Sequence, residues 1–264
     1  MSCVLFQGLS TDGSPILTRE TFPLPTKVQE GQVLVRLEGA TLCNSDLHTL
    51  AGRRQEPTPA VLGHEGCGAV VLSGRANLGE GDRVTFSVTD VCGGCDRCRS
   101  GPQQKCKNLL KYGHIKHRSD HFTIFYPSNL DIARAGTVPL GCYSTHILLG
   151  AGTAVVPLPA ELDTVLATPV NCALATMVAA RKCARQGLAR YQGERREKKV
   201  LLFGGGLLGL YGCALLKEDG FQVFLSDKSE ARKEQAMMFG AERATEEQIR
   251  NNEHDLVIEV GCVV

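Results

Sequence analysis

Cys92, Cys95, Cys98 and Cys106 lie in CGGCDRCRSGPQQKC with the spacing C-x2-C-x2-C-x7-C. Four thiolates within 15 residues can close a tetrahedral metal site, and soft sulfur suits zinc or iron. A closed shell of sulfur leaves no open coordination position, so such a site is structural. An iron–sulfur cluster, disulfides and uncommitted thiols are the alternatives; the seven-residue gap and Lys107 after the last cysteine depart from the bacterial C-x2-C-x2-C-x3-C-P pattern. A second set is dispersed: Cys43 in CNSDLH, His64 and Glu65 in GHEGCG, and Cys172 in PVNCALAT. Together Cys43, His64 and Cys172 would supply two thiolates and one imidazole, a catalytic-zinc set with its fourth position open. Spacing alone does not link them, and singly each reads as a core cysteine or a turn histidine.

A third signal is Gly204-Gly205-Gly206-Leu207-Leu208-Gly209, matching G-x-G-x-x-G. It follows the apolar run Val200–Phe203 and opens an apolar helix from Leu207 to Lys217. A second strand, Phe221 to Ser226, ends at Asp227, 18 residues beyond Gly209. That context is the dinucleotide fingerprint. Gly204 permits the tight turn, Gly206 lets a pyrophosphate approach the backbone, and Gly209 lets helix and strand pack. The amides at Leu207 and Leu208 open the helix toward the phosphates. Asp227 would accept hydrogen bonds from an adenosine ribose and repel a 2′-phosphate, which favours NAD over NADP. A glycine-rich turn without ligand, with Asp227 only capping the next helix, is the plain alternative.

The elements that must position these residues change along the chain. Gln32–Leu37, Ala69–Leu72, Arg83–Val88 and Tyr143–Leu149 read as short strands between glycine-containing turns, an all-β, barrel-like pattern to about residue 160. Asp163 to about Gln186 is alanine-rich and long enough for one connecting helix. From Val200 the order is strand, glycines, helix, strand, helix, strand, ending on Asp255–Val260 with a short strand near Ala241–Arg243. The domains expected are 1–162, carrying the cysteine lobe at about 92–106, and 163–264. The segment His117 to Leu140, with His121, Phe122, Phe125 and Tyr126, has no clear period and reads as a surface loop or insertion.

Composition excludes several classes. The 264 residues carry 29 basic and 28 acidic side chains, so there is no basic footprint for nucleic acid or an anionic membrane. No stretch approaches the ~20 apolar residues of a membrane span. The start, MSCVLFQGLSTDG, lacks a secretory n-region and h-region, which points to a soluble, cytoplasmic protein. In a reducing compartment, 12 cysteines suggest metal or catalysis before disulfides.

The CNSDLH stretch, GHE-x-x-G, Gly81-Asp82-Arg83-Val84, the four-cysteine lobe and G-x-G-x-x-G occur in the order found in the zinc-containing medium-chain alcohol dehydrogenases. The chain resembles that family over roughly residues 30–114 and 141–261. KYGH at 111–114 and NCALAT at 171–176 are similar to a branch proposed to act in phosphonate catabolism. The resemblance implies α/β plus β architecture: a GroES-like β-barrel catalytic domain, then a Rossmann doubly wound domain. It implies two zinc ions per chain and NAD, with a small alcohol or carbonyl as substrate and hydride transfer from an alkoxide held on zinc. Position by position, Cys43, His64 and Cys172 match the catalytic zinc ligands, and Cys92, Cys95, Cys98 and Cys106 the structural ones. Glu65 matches a glutamate near the metal, and Asp46 a carboxylate supporting a ligand. Ser45 matches the hydroxyl bonded to the substrate alcohol, His48 the outer end of a proton relay, and Thr176 a residue near the nicotinamide. A six-stranded sheet in the order 3-2-1-4-5-6 would need two strands beyond Val260. The expectation is therefore an incomplete, C-terminally shortened Rossmann domain without the family's usual dimer edge, and the alternative function is a catalytically weak or inactive zinc-binding form.

Overall fold

The computed structural model describes residues 1–101, 103–114, 140–189, 198–251 and 253–261. The loop expected at 117–140 lies outside them except for Leu140. The chain divides into two compact units, Met1–Cys172 and Ala173–Val264.

The first unit opens on an antiparallel hairpin, β1 (Ser2–Leu9) and β2 (Pro15–Thr21). Its turn is built by Asp12, whose Oδ1 accepts the Ser14 N–H at 3.0 Å, and by Gly13 at φ +82°. Then follow β3 (Val33–Thr41), α1 (Asn44–Leu50), β4 (Glu65–Ser73), β5 (Arg83–Phe86), β6 (Thr89–Asp90) and α2 (Asp96–Ser100). The unit ends with β7 (Leu110–Lys111), β8 (His146–Leu149), β9 (Val155–Pro157) and α3 (Thr164–Ala167).

Five strands form one antiparallel sheet in the order β8-β3-β4-β5-β9. The expected alternation over Gln32–Leu37 fails at its start. Val33, Leu34 and Val35 are all fully buried, because β3 is flanked by β8 and β4 and covered on both faces. Phe86, Tyr112, Ile147 and Leu149 join them in one core. The strand expected over Arg83–Val88 stops at Phe86, where Ser87 Oγ turns to donate to the Thr89 carbonyl at 2.7 Å.

Arg75 ties three loops of this unit together. Its Nε donates to the Gly31 carbonyl at 2.7 Å, and its Nη2 to the Gly150 and Thr153 carbonyls at 2.9 Å each. A lysine cannot reproduce that fork. Arg75→Ala is expected to cost about 2–4 kcal/mol, since hydrogen bonds to a charged group contribute about 1.5–3 kcal/mol. A lowered denaturant midpoint is the readout.

The second unit contains α4 (Ala173–Ala189), β10 (Lys199–Phe203), α5 (Leu207–Glu218), β11 (Gln222–Ser226), α6 (Glu230–Met238), β12 (Glu242–Arg243), α7 (Glu246–Arg250) and β13 (Leu256–Glu259). Its parallel strands run in the order β12-β11-β10-β13. Counted from β10, this is 3-2-1-4, the doubly wound arrangement. The run Val200-Leu201-Leu202 is wholly buried, as a central parallel strand requires.

The single helix expected from Asp163 to Gln186 is broken. Asp163 caps α3, its Oδ1 accepting the Val165 N–H at 2.7 Å; a 3-10 turn covers Thr168–Asn171, and α4 begins only at Ala173. Pro169 supplies the physical reason, since it has no N–H to continue an α-helix. The break leaves Cys172 between two helical segments. Among the described residues, no single helix is long and apolar enough to cross a membrane.

Candidate metal centre and nucleotide turn

Strand register brings the dispersed ligands together. Thr41, the last residue of β3, pairs with Glu65, the first of β4. Cys43 follows that end of β3 as the N-cap of α1, and His64 directly precedes β4. The turn carrying Cys172 packs beside them. Asn171 Nδ2 donates to the His64 carbonyl at 3.0 Å, and the Cys67 sulfur lies 3.5 Å from Thr168 Oγ1. A Cβ on Gly39 would sit 2.5 Å from Thr168 Oγ1, so a glycine in β3 is what allows this approach.

One ligand atom from each of Cys43, His64, Glu65 and Cys172 falls within 4.8 Å of all the others. Hydrogen bonds from Cys172 and His64 push the Cys43 thiol down to about 3. Its interaction with Cys43, together with burial, drives Cys172 up, so Cys43 is the sulfur of the pair that ionises more readily. Burial opposes charge on His64, but Asp46 and Cys43 outweigh it and raise the imidazole to about 9. Burial raises Glu65, partly offset by Thr41, whose Oγ1 donates to Oε2 at 2.5 Å. Two sulfurs, an imidazole and a carboxylate, held close and competing for protons, fit a borderline-soft divalent cation.

Asp46 is fully buried and reaches both ligand loops. Its Oδ2 accepts from the Cys43 N–H at 3.1 Å and the Tyr143 hydroxyl at 2.9 Å, and its Oδ1 from the Gly63 N–H at 3.3 Å. Its Oδ1 is 3.7 Å from His64 Nδ1. The carboxylate thus fixes the backbone on either side of the site more directly than it bonds the ring. Ser45 Oγ is buried and makes no hydrogen bond to another described residue. His48 Nδ1 accepts from Arg53 Nε at 2.8 Å.

The four-cysteine lobe is a second cluster. Its sulfurs lie 3.5 Å apart for Cys95 and Cys98, 3.4 Å for Cys92 and Cys106, and 4.0 Å for Cys95 and Cys106. A disulfide would need ~2.05 Å. A tetrahedron with Zn–S near ~2.3 Å has edges of ~3.8 Å, which these separations bracket. The backbone N–H groups of Lys107 and Cys98 hold the Cys95 thiol down to about 6. A hydrogen bond from Cys106 lowers Cys92 as well, whereas burial and the neighbouring sulfurs push Cys98 up to about 12.

In the second unit the glycine turn has the character read from its sequence. Gly204 sits at φ +104°, the left-handed region that favours glycine. A Cβ on Gly209 would meet the Gly204 carbonyl oxygen at 2.0 Å, whereas one on Gly206 would meet nothing within 4 Å. Gly206 caps α5, and Leu207 and Leu208 open that helix. Asp227 Oδ2 accepts from the Gly205 N–H at 2.6 Å, and Oδ1 from the Ser229 N–H at 2.8 Å. Arg232 lies 3.8 Å away. The cap of α6 is Ser229, not Asp227; Asp227 braces the turn. Thr176 is exposed near the start of α4 in this unit.

Residues that sequence reasoning did not assign also converge on the first site. His114 Nε2 is 3.2 Å from His64 Nδ1, His114 Nδ1 is 2.8 Å from Glu56 Oε1, and Arg54 Nε is 2.6 Å from the same Glu56 oxygen. His114 stood in the KYGH stretch without a role. Glu56, Tyr143 and Asn171 carried no spacing signal, because their partners are distant in sequence.

Residues 29–160 match the family model described as "Alcohol dehydrogenase GroES-like domain". An alcohol dehydrogenase of Geobacillus stearothermophilus is 29% identical over 83% of this chain and 56% of its own length. An L-threonine 3-dehydrogenase of Pyrococcus abyssi is 31% identical over 87% of this chain and 57% of its own. The chain therefore spans little more than half the length of these relatives. Among solved structures, the alcohol dehydrogenase TADH from Thermus sp. ATN1 superposes with a TM-score of 0.73 at 23% identity, covering 98% of this chain and 70% of that one. The D-arabinose dehydrogenase of Sulfolobus solfataricus gives 0.73 at 24% identity, over 98% and 73%. At such identities these structures speak to fold: a GroES-like domain joined to a Rossmann domain.

Proposed function

Because the chain belongs to the alcohol dehydrogenase GroES-like domain family, we propose that it is a zinc-dependent oxidoreductase acting on a small alcohol or its carbonyl product with NAD. The observation that carries this reading is the convergence of Cys43, His64, Glu65 and Cys172 within 4.8 Å, in the same unit as a separate four-sulfur cluster. We assign a zinc to each cluster, two per chain. When bound, zinc at the first cluster would polarise the substrate hydroxyl and NAD would accept the hydride.

This chain's residues do the rest. Cys43, His64 and Cys172 hold the ion, and Glu65 waits beside them as a carboxylate that burial makes less willing to ionise. The buried Ser45 hydroxyl would take up the substrate's proton while handing its own outward toward His48. His48 would be the outward stage, taking the relayed proton at Nδ1 once the Arg53 hydrogen bond there is released. Asp46 keeps the two ligand loops in register, and Thr176 stands near the nicotinamide. The second unit would bind the pyrophosphate over Gly204, Gly206 and Gly209 with the amides of Leu207 and Leu208, and the ribose at Asp227.

KYGH and NCALAT support placing the chain in the branch linked to phosphonate catabolism. The test is turnover of the zinc-loaded chain with NAD on neutral, polyol and anionic alcohols. NADH formation that disappears in Cys43→Ser supports the reading; none with any class, at full zinc occupancy, contradicts it.

Asp227→Ala should shift coenzyme preference about tenfold toward NADP, or about 1.4 kcal/mol. It removes the repelling carboxylate while Arg232 and Lys228 remain beside the turn. NAD affinity should fall as well, because the Gly205 and Ser229 amides lose their acceptor. Titration of both coenzymes checks the ratio; an unchanged ratio contradicts a ribose contact.

A further inference from the structure

We propose that His114, anchored by Glu56, is a positioning residue that sets the tautomer and ring orientation of the metal ligand His64. This rests on the assignment of a metal to Cys43, His64 and Cys172. An imidazole can ligate through Nε2 only with its remaining proton on Nδ1, and that proton needs an acceptor to hold the ring. Asp46 is the obvious one, yet its nearer oxygen is 3.7 Å from Nδ1, and the carboxylate is already taken by Cys43, Gly63 and Tyr143. His114 Nε2, at 3.2 Å, is within hydrogen-bond reach of Nδ1.

The direction of the bond follows from the other end of the chain. Glu56 offers only acceptors, so His114 must place its own proton on Nδ1 to bond Oε1 at 2.8 Å. That leaves His114 Nε2 as a lone pair facing His64 Nδ1–H. Arg54, 2.6 Å from the same Glu56 oxygen, holds the carboxylate in place. The side chains of His64 and His114 are both only 3% exposed, and that of Glu56 7%, so water does not readily substitute for a missing partner. The result is an Arg–carboxylate–imidazole–imidazole chain ending on a ligand. Local backbone permits it: a Cβ on Gly113 would fall 2.4 Å from the Gly63 carbonyl oxygen, so a glycine before His114 lets the two histidine segments approach.

The test is competition between the protein and a chromophoric chelator for zinc, with cobalt-substituted spectra of each variant. The four-cysteine site is the internal reference. His114→Ala should weaken zinc at the first site about 10–100-fold and shift its cobalt d–d bands, leaving the second site unchanged. His114→Gln places an amide oxygen near the lost Nε2 and should recover most of that loss. Glu56→Gln should weaken the first site by several-fold, and with His114→Gln it carries the test should His114→Ala fail to fold. Affinity within twofold of wild type and an unshifted cobalt spectrum in His114→Ala would overturn the proposal. So would a His114→Gln protein as impaired as the alanine variant. Wild-type protein that holds metal only at the four cysteines would overturn the metal assignment, and this inference with it.

Discussion

Cys172→Ser and Cys106→Ser should damage the protein in opposite ways. Cys172 belongs to a set with room for an exchangeable fourth partner, so its loss should lower turnover by roughly 10³-fold or more, the several kcal/mol that a Lewis acid supplies. The thermal midpoint should move little, because β3, β4 and the Asp46 contacts to both ligand loops remain. Cys106 is a buried member of a four-sulfur shell on a lobe with short elements and little apolar packing of its own. A metal held there would supply folding free energy, so its loss should lower the midpoint clearly and raise protease sensitivity. Equal destabilisation by the two substitutions would contradict the division of roles.

The second large effect is at the glycine turn. Alanine normally stabilises a helix relative to glycine by about 1 kcal/mol. At Gly209 the clash decides the sign: a new Cβ 2.0 Å from the Gly204 carbonyl oxygen leaves no room, and that oxygen belongs to backbone that cannot swing aside. Gly209→Ala should therefore reduce both stability and NADH affinity, the latter about 100-fold, or ~3 kcal/mol. Gly206→Ala makes a sharper comparison, because its Cβ meets nothing within 4 Å. That variant should fold normally and still lose affinity, since the methyl occupies the space a pyrophosphate would enter. Paired fluorescence titration and denaturant unfolding separate the two. Unimpaired NADH binding in Gly206→Ala would contradict the placement of the phosphates.

The legibility of these sites in sequence follows their contact range. The four-cysteine lobe and the glycine turn are local, so spacing alone made a sulfur cluster legible in one and a strand–turn–helix in the other. The cluster of Cys43, His64, Glu65 and Cys172 is not local. Cys43 and His64 meet because Thr41 pairs with Glu65 across β3 and β4, a register no short motif encodes; family resemblance linked them instead. His114 and Glu56 are 58 residues apart and His114 and His64 are 50 apart, so their chain was invisible. The broken helix was missed because alanine content outweighed Pro169. The β1–β2 hairpin was missed for another reason: β1 does not alternate, with Leu5 and Phe6 both buried and a register shift between Phe6 and Gly8.

The central claim is that one chain holds two metal ions in chemically different shells, and zinc counting on purified protein tests it most directly. Wild type should carry close to two zinc ions per chain. Cys172→Ser and Cys106→Ser should each carry one, and the double substitution none. A wild-type count of one that survives in Cys172→Ser would contradict the account, because the cluster of Cys43, His64 and Cys172 would then hold no metal.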